Sequence, residues 1–130
     1  MSARADRFNK GKRQLRYLLC FSKAAELLAT VSEYGASKYN AYNFVKGAPV
    51  SESVDSLMRH LDAWWNGEDI DPESGCHHLG HVAWNAMRLA HEARSRPDLD
   101  DRPHVVLAAR AADTAPQETF MLPPANEVAS

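Results

Sequence analysis

Cysteine is scarce in this chain. Cys20 and Cys76 stand far apart and form no C-x-x-C pair, so they build neither a disulfide framework nor a cysteine-rich zinc module. No secretory leader pattern precedes them, and reduced thiols in a cytoplasm are the expectation. No apolar run approaches the roughly 18 residues that a membrane helix needs. Neither sign of charge dominates: the formal charge is −2, which gives no reason to expect a protein that coats nucleic acid or a membrane surface. No stretch alternates polar and apolar residues for long enough to suggest a sheet. A glycine-rich phosphate loop is absent as well.

What is present suits one domain with one core. The chain has 130 residues, of which 45% are hydrophobic and 25% charged, ordinary values for a globular protein. Helical periodicity is visible three times. Leu15, Leu18, Leu19, Ala25, Leu28 and Val31 predict a helix over Gln14–Tyr34, with Gly35 as its C-terminal stop. Residues Ala36 to Val50 carry asparagines, Gly47, Pro49 and three aromatics, and read as an ordered loop anchored by its rings. A second helix is expected over Ser51–Asn66, capped by Ser51 or Ser53. Its apolar stripe is Val54, Leu57, Met58, Leu61, Trp64 and Trp65; Glu52, Asp55, Arg59 and Asp62 lie opposite, with His60 at the border. A third helix is expected over Pro72–Arg94. Leu79, Val82, Ala83, Ala86, Leu89, Ala90 and Ala93 form its apolar stripe, and His78, His81, Asn85, Arg88 and Glu92 form a polar stripe beside it.

Three amphipathic helices with short links mean an all-α bundle. Three helices bury little by themselves, and Trp64 and Trp84 look exposed, so a second copy of the chain is expected to complete the core. The domain is expected over residues 1–102. Its N-terminal arm (Arg4, Arg7, Lys10, Lys12, Arg13, Arg16) reads as a solvated basic segment, and nucleic acid is not an expected partner. Residues 103–130 read as a flexible tail.

The chemistry concentrates at the bend between the second and third helices. Residues 67–81, GEDIDPESGCHHLGH, hold four carboxylates and three histidines. A helical hairpin brings Glu68, Asp71, His60, His78 and His81 to one end of the bundle. Carboxylates there could hold a hard cation such as Mg²⁺ or Mn²⁺ against a polyphosphate, and Lys38 and Arg59 could neutralise phosphate oxygens. Simpler roles exist. Asp71-Pro72-Glu73 matches an N-cap, a proline at the first helical position and an acid favoured by the helix dipole. His77 reads as solvent-exposed, His78 and His81 as edge histidines, and Glu33 as a salt-bridge partner for Lys38. A zinc site of Cys76, His77, His78 and His81 is the weaker alternative, because adjacent residues point to different sides of a helix and no second cysteine joins them. The HD type of helical phosphohydrolase needs a His-Asp dipeptide, and the chain offers only His60-Leu61-Asp62.

The segments Tyr34-Gly-Ala-Ser-Lys38-Tyr39, Asn43-Phe44, Gly47, Arg59-His60, Trp64, Gly67-Glu68-Asp-Ile-Asp71-Pro-Glu-Ser-Gly75, His78-Leu79 and Pro97-Asp-Leu-Asp-Asp-Arg102, taken together, resemble a bacterial and phage family of dATP/dGTP diphosphohydrolases. The family is similar to the MazG branch of all-α nucleoside triphosphate pyrophosphohydrolases, and the resemblance runs from about Gly11 to Arg102. It implies an Mg²⁺- or Mn²⁺-dependent enzyme, dimeric or tetrameric, that cleaves a purine deoxynucleoside triphosphate between its α- and β-phosphates. In phages that replace adenine by 2-aminoadenine, enzymes of the MazZ type supply dGMP in this way. The pattern departs from the better-known relatives, which carry paired Glu-x-x-Glu and Glu-x-x-Asp motifs on consecutive helices. Here Glu68-x-x-Asp71 lies in the link, Glu52-x-x-Asp55 starts the second helix, and the third helix has His78-x-x-His81. The resulting expectation is that Glu68 and Asp71 are catalytic and hold the metal, with Glu33 and His78 as further ligands. Lys38 and Arg59 would clamp phosphates, and Asn43 and His60 would contact sugar or base. The competing expectation is a non-enzymatic helical interaction or regulatory protein that uses its basic arm and apolar helix faces.

Overall fold

The computed structural model describes residues 3–114, and they are all-α: α1 (Ser22–Lys38), α2 (Val50–Trp65), α3 (His78–Ser95) and α4 (Pro103–Thr114), with short 3-10 turns between them. Leu15–Phe21 is a 3-10 segment that runs into α1. The single helix predicted for this stretch is thus two pieces. Gly35 is not its stop: the helix continues through Gly35 to Lys38 in ordinary helical conformation. The turn comes instead at Tyr42, whose φ of 62° is left-handed, and at Gly47, φ 81°. Pro103 opens α4, so residues 103–114 of the expected tail are helical, and the rest of that tail lies outside the described residues.

α3 is the central element, with α2 and α1 both packed against it. His60 meets His81 and Ser56 meets Asn85, a register in which the residue numbers run in opposite directions, so α2 and α3 form an antiparallel hairpin. The link between them is shorter in helix than predicted. Residues 66–77 fold as a tight loop closed by an antiparallel bridge between Ile70 and His77, and α3 begins at His78 rather than Pro72. Its N-cap is His77, half-buried, whose Nδ1 accepts from the Leu79 N–H at 3.0 Å. Neither serine caps α2: Pro49 stands at the N-cap, and Asp101 reaches across to accept from the Ser51 N–H at 2.8 Å and from its hydroxyl. That contact ties the start of α2 to the segment before α4.

The interior is unusual in what it buries. Among the described residues the buried hydrophobic positions are Val31 and Cys76, whereas Ser53, His78, His81, Asn85 and Glu92 are buried polar ones. The polar stripe of α3, not its apolar stripe, faces the interior; Ala86, Ala90 and Ala93 are exposed. On α2 the positions turned to α3 are Ser53, Ser56 and His60 at a helical spacing of three and four. Val54, Met58 and Trp65 of the predicted apolar stripe are exposed, and Leu57, Leu61 and Trp64 are half-buried.

α1 approaches α3 closely at Gly80. A Cβ there would lie 3.1 Å from the Leu27 carbonyl oxygen and 3.2 Å from Val31 Cγ2. Gly80→Leu is expected to cost about 1–3 kcal/mol through overpacking, seen as a lower urea midpoint with an unchanged m value. An unchanged midpoint would show that α1 and α3 can separate freely.

Candidate functional site

The three helices and the Tyr39–Pro49 loop enclose a cleft of about 730 Å³. Its floor is the α2–α3 seam. The His60 and His81 rings stack with centroids 4.0 Å apart and planes 7° from parallel. Tyr34 of α1 meets His81 edge-on, with centroids 6.3 Å apart. The link loop brings Asp71 beneath this pair. His60, Asp71 and His81 each offer one ligand atom, and these atoms lie within 4.8 Å of one another.

Asp71 is held by its own turn. Its carboxylate accepts from the Glu73 N–H (3.3 Å), the Ser74 N–H (3.2 Å) and the Ser74 hydroxyl (2.7 Å), so it caps the loop rather than α3. Burial pushes its pKa up, but these hydrogen bonds outweigh that and bring it below the usual carboxylate range. Asp71 is therefore ionised at neutral pH. Because the Ser74 hydroxyl spends its proton on Asp71, Ser74 Oγ accepts from His81 Nε2 (2.8 Å) and from the Cys76 N–H (3.2 Å). The cluster is thus welded to the loop by one serine.

A second relay runs to the loop's start. His78 Nε2 lies 2.7 Å from Glu68 Oε1, and His78 Nδ1 lies 2.8 Å from His60 Nδ1. A carboxylate oxygen only accepts, so His78 Nε2 carries a proton. With His78 neutral, its Nδ1 accepts from His60 Nδ1–H, and His60 Nε2 is left with a free lone pair. Burial, the largest influence, lowers the pKa of both His60 and His81, which keeps both rings neutral at neutral pH; to ligate a cation beside Asp71 through Nε2, His81 would give up its Nε2–H bond to Ser74.

The expected site residues divide into three groups. Lys38, Asn43, Arg59, His60, Asp71 and His78 line the cleft. Glu68 does not line it; its side chain is half-exposed and acts on the cluster only through His78. Glu33 is exposed on α1, outside both the cleft and the cluster. Its expected partner Lys38 instead bonds Glu73 Oε1 at 3.2 Å, which raises the lysine pKa further. His81 belongs to the cluster; the sequence brings it to this end of the bundle but gives it no ligand role. Its signal is the shared helical face of His78, His81 and Asn85. Ser53, Ser56, Trp84 and Arg88 also line the cleft, and nothing in their local sequence singles them out. Cys76 packs on α1, its thiol 3.8 Å from the Thr30 carbonyl oxygen, so it joins no ligand set with the histidines.

The fold and site define an all-α protein with a two-histidine, one-carboxylate cluster in a cleft that also carries lysine and arginine. The chain matches the family model described as dATP/dGTP diphosphohydrolase, N-terminal, over residues 2–102, and it belongs to that family. It is also 31% identical over 96 residues to a dATP/dGTP diphosphohydrolase of Salmonella phage PMBT28, an alignment covering 74% of this chain. The chain spans only 32% of that relative's length. No solved structure gives a significant match.

Ser74→Ala removes the side chain that joins Asp71, His81 and the Cys76 N–H. It is expected to lower stability by about 1–3 kcal/mol, the cost of leaving part-buried polar groups unsatisfied. Denaturant titration checks this, and a wild-type midpoint would show that water replaces the hydroxyl at no cost.

Proposed function

We propose that this cleft binds a purine deoxynucleoside triphosphate and hydrolyses it to the monophosphate and pyrophosphate. The observation that carries the proposal is the placement of the His60–Asp71–His81 cluster beside Lys38 and Arg59 in one cleft. The phage relative, a dATP/dGTP diphosphohydrolase, agrees with this chemistry. Water enters, the bond between the α- and β-phosphates breaks, and pyrophosphate leaves. No nucleophilic side chain is needed, because phosphoryl-type transfer depends mainly on positioning and charge stabilisation.

The donor set fits a divalent cation, which His60, Asp71 and His81 would hold. Two imidazoles and one carboxylate suit Mn²⁺ or another transition ion better than Mg²⁺, which prefers oxygen and retains its waters. Such an ion supplies charge neutralisation and a bound water of lowered pKa. The protein's own groups do the rest. Lys38 and Arg59 bind phosphate oxygens near the cluster, and Asn43 contacts the sugar. Glu68, through His78, fixes the His60 tautomer, the part that an outer hydrogen-bond partner plays for a ligating imidazole. In a phage that builds 2-aminoadenine nucleotides, this reaction would supply dGMP.

The small apolar interior supports the further proposal that the chain works as a homo-oligomer. Leu15, Leu18, Leu19 and Phe21 are all exposed beside α1, an apolar surface that a second copy would cover. Leu18→Asp with Leu19→Asp is expected to shift the light-scattering mass to that of one chain. A wild-type protein already monomeric would sink this reading.

Hydrolysis is tested by pyrophosphate release from dGTP and dATP with Mn²⁺. Asp71→Ala and His81→Ala are each expected to lower kcat/KM at least about 100-fold and to abolish Mn²⁺ uptake in calorimetry. Glu68→Ala should keep the fold and weaken Mn²⁺ binding about 10- to 100-fold. Folded wild-type protein that takes up no Mn²⁺ and turns over no triphosphate leaves the interaction-module alternative standing.

A further inference from the structure

The end of the cleft away from the cluster holds polar groups that the hydrolytic chemistry leaves unused. Ser53 is 3% exposed and lines the cleft, yet its hydroxyl has no hydrogen-bond partner among the described residues. Asn85, 6% exposed, donates both amide protons, to Ser56 Oγ (3.3 Å) and to the His81 carbonyl (2.8 Å). Its Oδ1 is left as an acceptor. Arg88 donates Nε–H to Glu92 Oε1 at 3.0 Å, a pair whose side chains are only 15% and 8% exposed. The two terminal nitrogens of Arg88 have no hydrogen-bond partner among the described residues, and its guanidinium carbon lies 5.7 Å from the centroid of the Trp84 ring. Trp84 in turn meets Phe44 edge-on, with centroids 6.3 Å apart.

The Ser53 hydroxyl, buried without a partner, costs free energy unless something pairs with it, and the Asn85 amide oxygen and the Arg88 fork, in the lining of the same cleft, have no side-chain partner among the described residues. The α2–α3 register puts Ser53 across from Arg88, two helical turns from the His60–His81 stack. That rise is about 10 Å, comparable to the reach from an α-phosphate to the far edge of a purine.

Charge decides which end of a nucleotide belongs here. Arg59 and Lys38 line the cluster end; Lys38 pairs with Glu73 at the exposed rim, with side chains 41% and 72% exposed, whereas Arg88 is neutralised by Glu92 in a pair only 15% and 8% exposed. A neutral pair is a weak phosphate clamp, but its fixed donors suit a base edge. We infer that Ser53, Asn85 and Arg88 form a base-reading subsite for a 6-oxopurine, walled by Phe44 and Trp84. This rests on the nucleotide reading of the same cleft. The guanidinium fork matches the O6 and N7 acceptors of guanine, as arginine does in other settings. Asn85 Oδ1 and Ser53 Oγ accept from the base N–H groups. Adenine places an amino donor where O6 would be, and it opposes the fork.

The test measures dGMP, dAMP and inorganic tripolyphosphate binding with Mn²⁺, alongside dGTP and dATP turnover. Arg88→Lys keeps the charge against Glu92 and removes the fork. It is expected to weaken dGMP binding and dGTP kcat/KM about 10- to 100-fold, leaving dAMP and tripolyphosphate unchanged. Ser53→Ala is expected to weaken dGMP binding severalfold without lowering the unfolding midpoint, because the lost hydroxyl had no partner in the free protein. Equal losses for dGMP and dAMP, or a matching loss for tripolyphosphate, would overturn the base assignment while hydrolysis stands. Wild-type protein that binds dGMP over dAMP but releases no pyrophosphate would uphold the base site and overturn hydrolysis.

Discussion

Everything in this molecule depends on the antiparallel seam between α2 and α3, where side chains meet as hydrogen-bonded and stacked polar groups. His60 lies flat on His81, Ser56 meets Asn85, and Glu92 anchors Arg88. A polar seam is stable only when its members satisfy each other, because an unpaired polar group away from water costs more than an apolar contact returns. Here most of them do. Among the described residues the two buried side-chain atoms without partners are Ser53 Oγ and Glu92 Oε2, and both belong to the half of the seam away from the cluster. The seam is dense with hydrogen bonds where the loop meets it and incomplete around Ser53 and Glu92.

The loop of residues 66–77 converts that seam into a site. Its bridge between Ile70 and His77 fixes the span between the helices. Asp71 then sits under the stacked imidazoles, and Glu68 sits beside His78. Two relays emerge, Asp71–Ser74–His81 and Glu68–His78–His60, each of which sets the proton on one member of the stack. They share no residue. The cluster is therefore positioned from both ends of one short loop, which explains why so many acids and histidines crowd this bend. The acids hold protons on or off the rings as much as they offer oxygens to a cation.

Much of this was legible in the sequence. The hydrophobic period gave the helices, and the ligand-rich bend pointed to the right corner of the fold. What failed did so for three separate physical reasons. Binary patterning assumes that the apolar stripe faces inward. On α3 the polar stripe faces inward instead, and the alanines Ala86, Ala90 and Ala93 face out. His81 and Asn85 therefore look peripheral in the sequence and are central in the structure. Asp71-Pro72-Glu73 matches a helix start so well because an aspartate that caps a helix and one that caps a tight turn make the same side-chain-to-backbone hydrogen bonds. Only the bridge at Ile70 tells them apart. Gly35 fails as a stop because glycine permits a left-handed residue without requiring one; the chain reverses later, at Tyr42 and Gly47.

The distribution of charge along the seam gives the cleft a direction. At the loop end stand an ionised Asp71, two neutral imidazoles and the cations Lys38 and Arg59. At the far end Arg88 and Glu92 cancel, and the aromatic rings of Phe44 and Trp84 replace charge with apolar surface. A ligand that is anionic at one end and flat, polar-edged and uncharged at the other is matched in one orientation and opposed in the reverse one, where its charge would meet a neutralised, largely buried pair and its ring would meet Arg59 and the solvent-exposed Lys38–Glu73 pair. Neither helix shows this polarity by itself. It arises because antiparallel packing sets the C-terminal half of α2 against the first turns of α3, and both halves carry their titratable residues on the faces that meet.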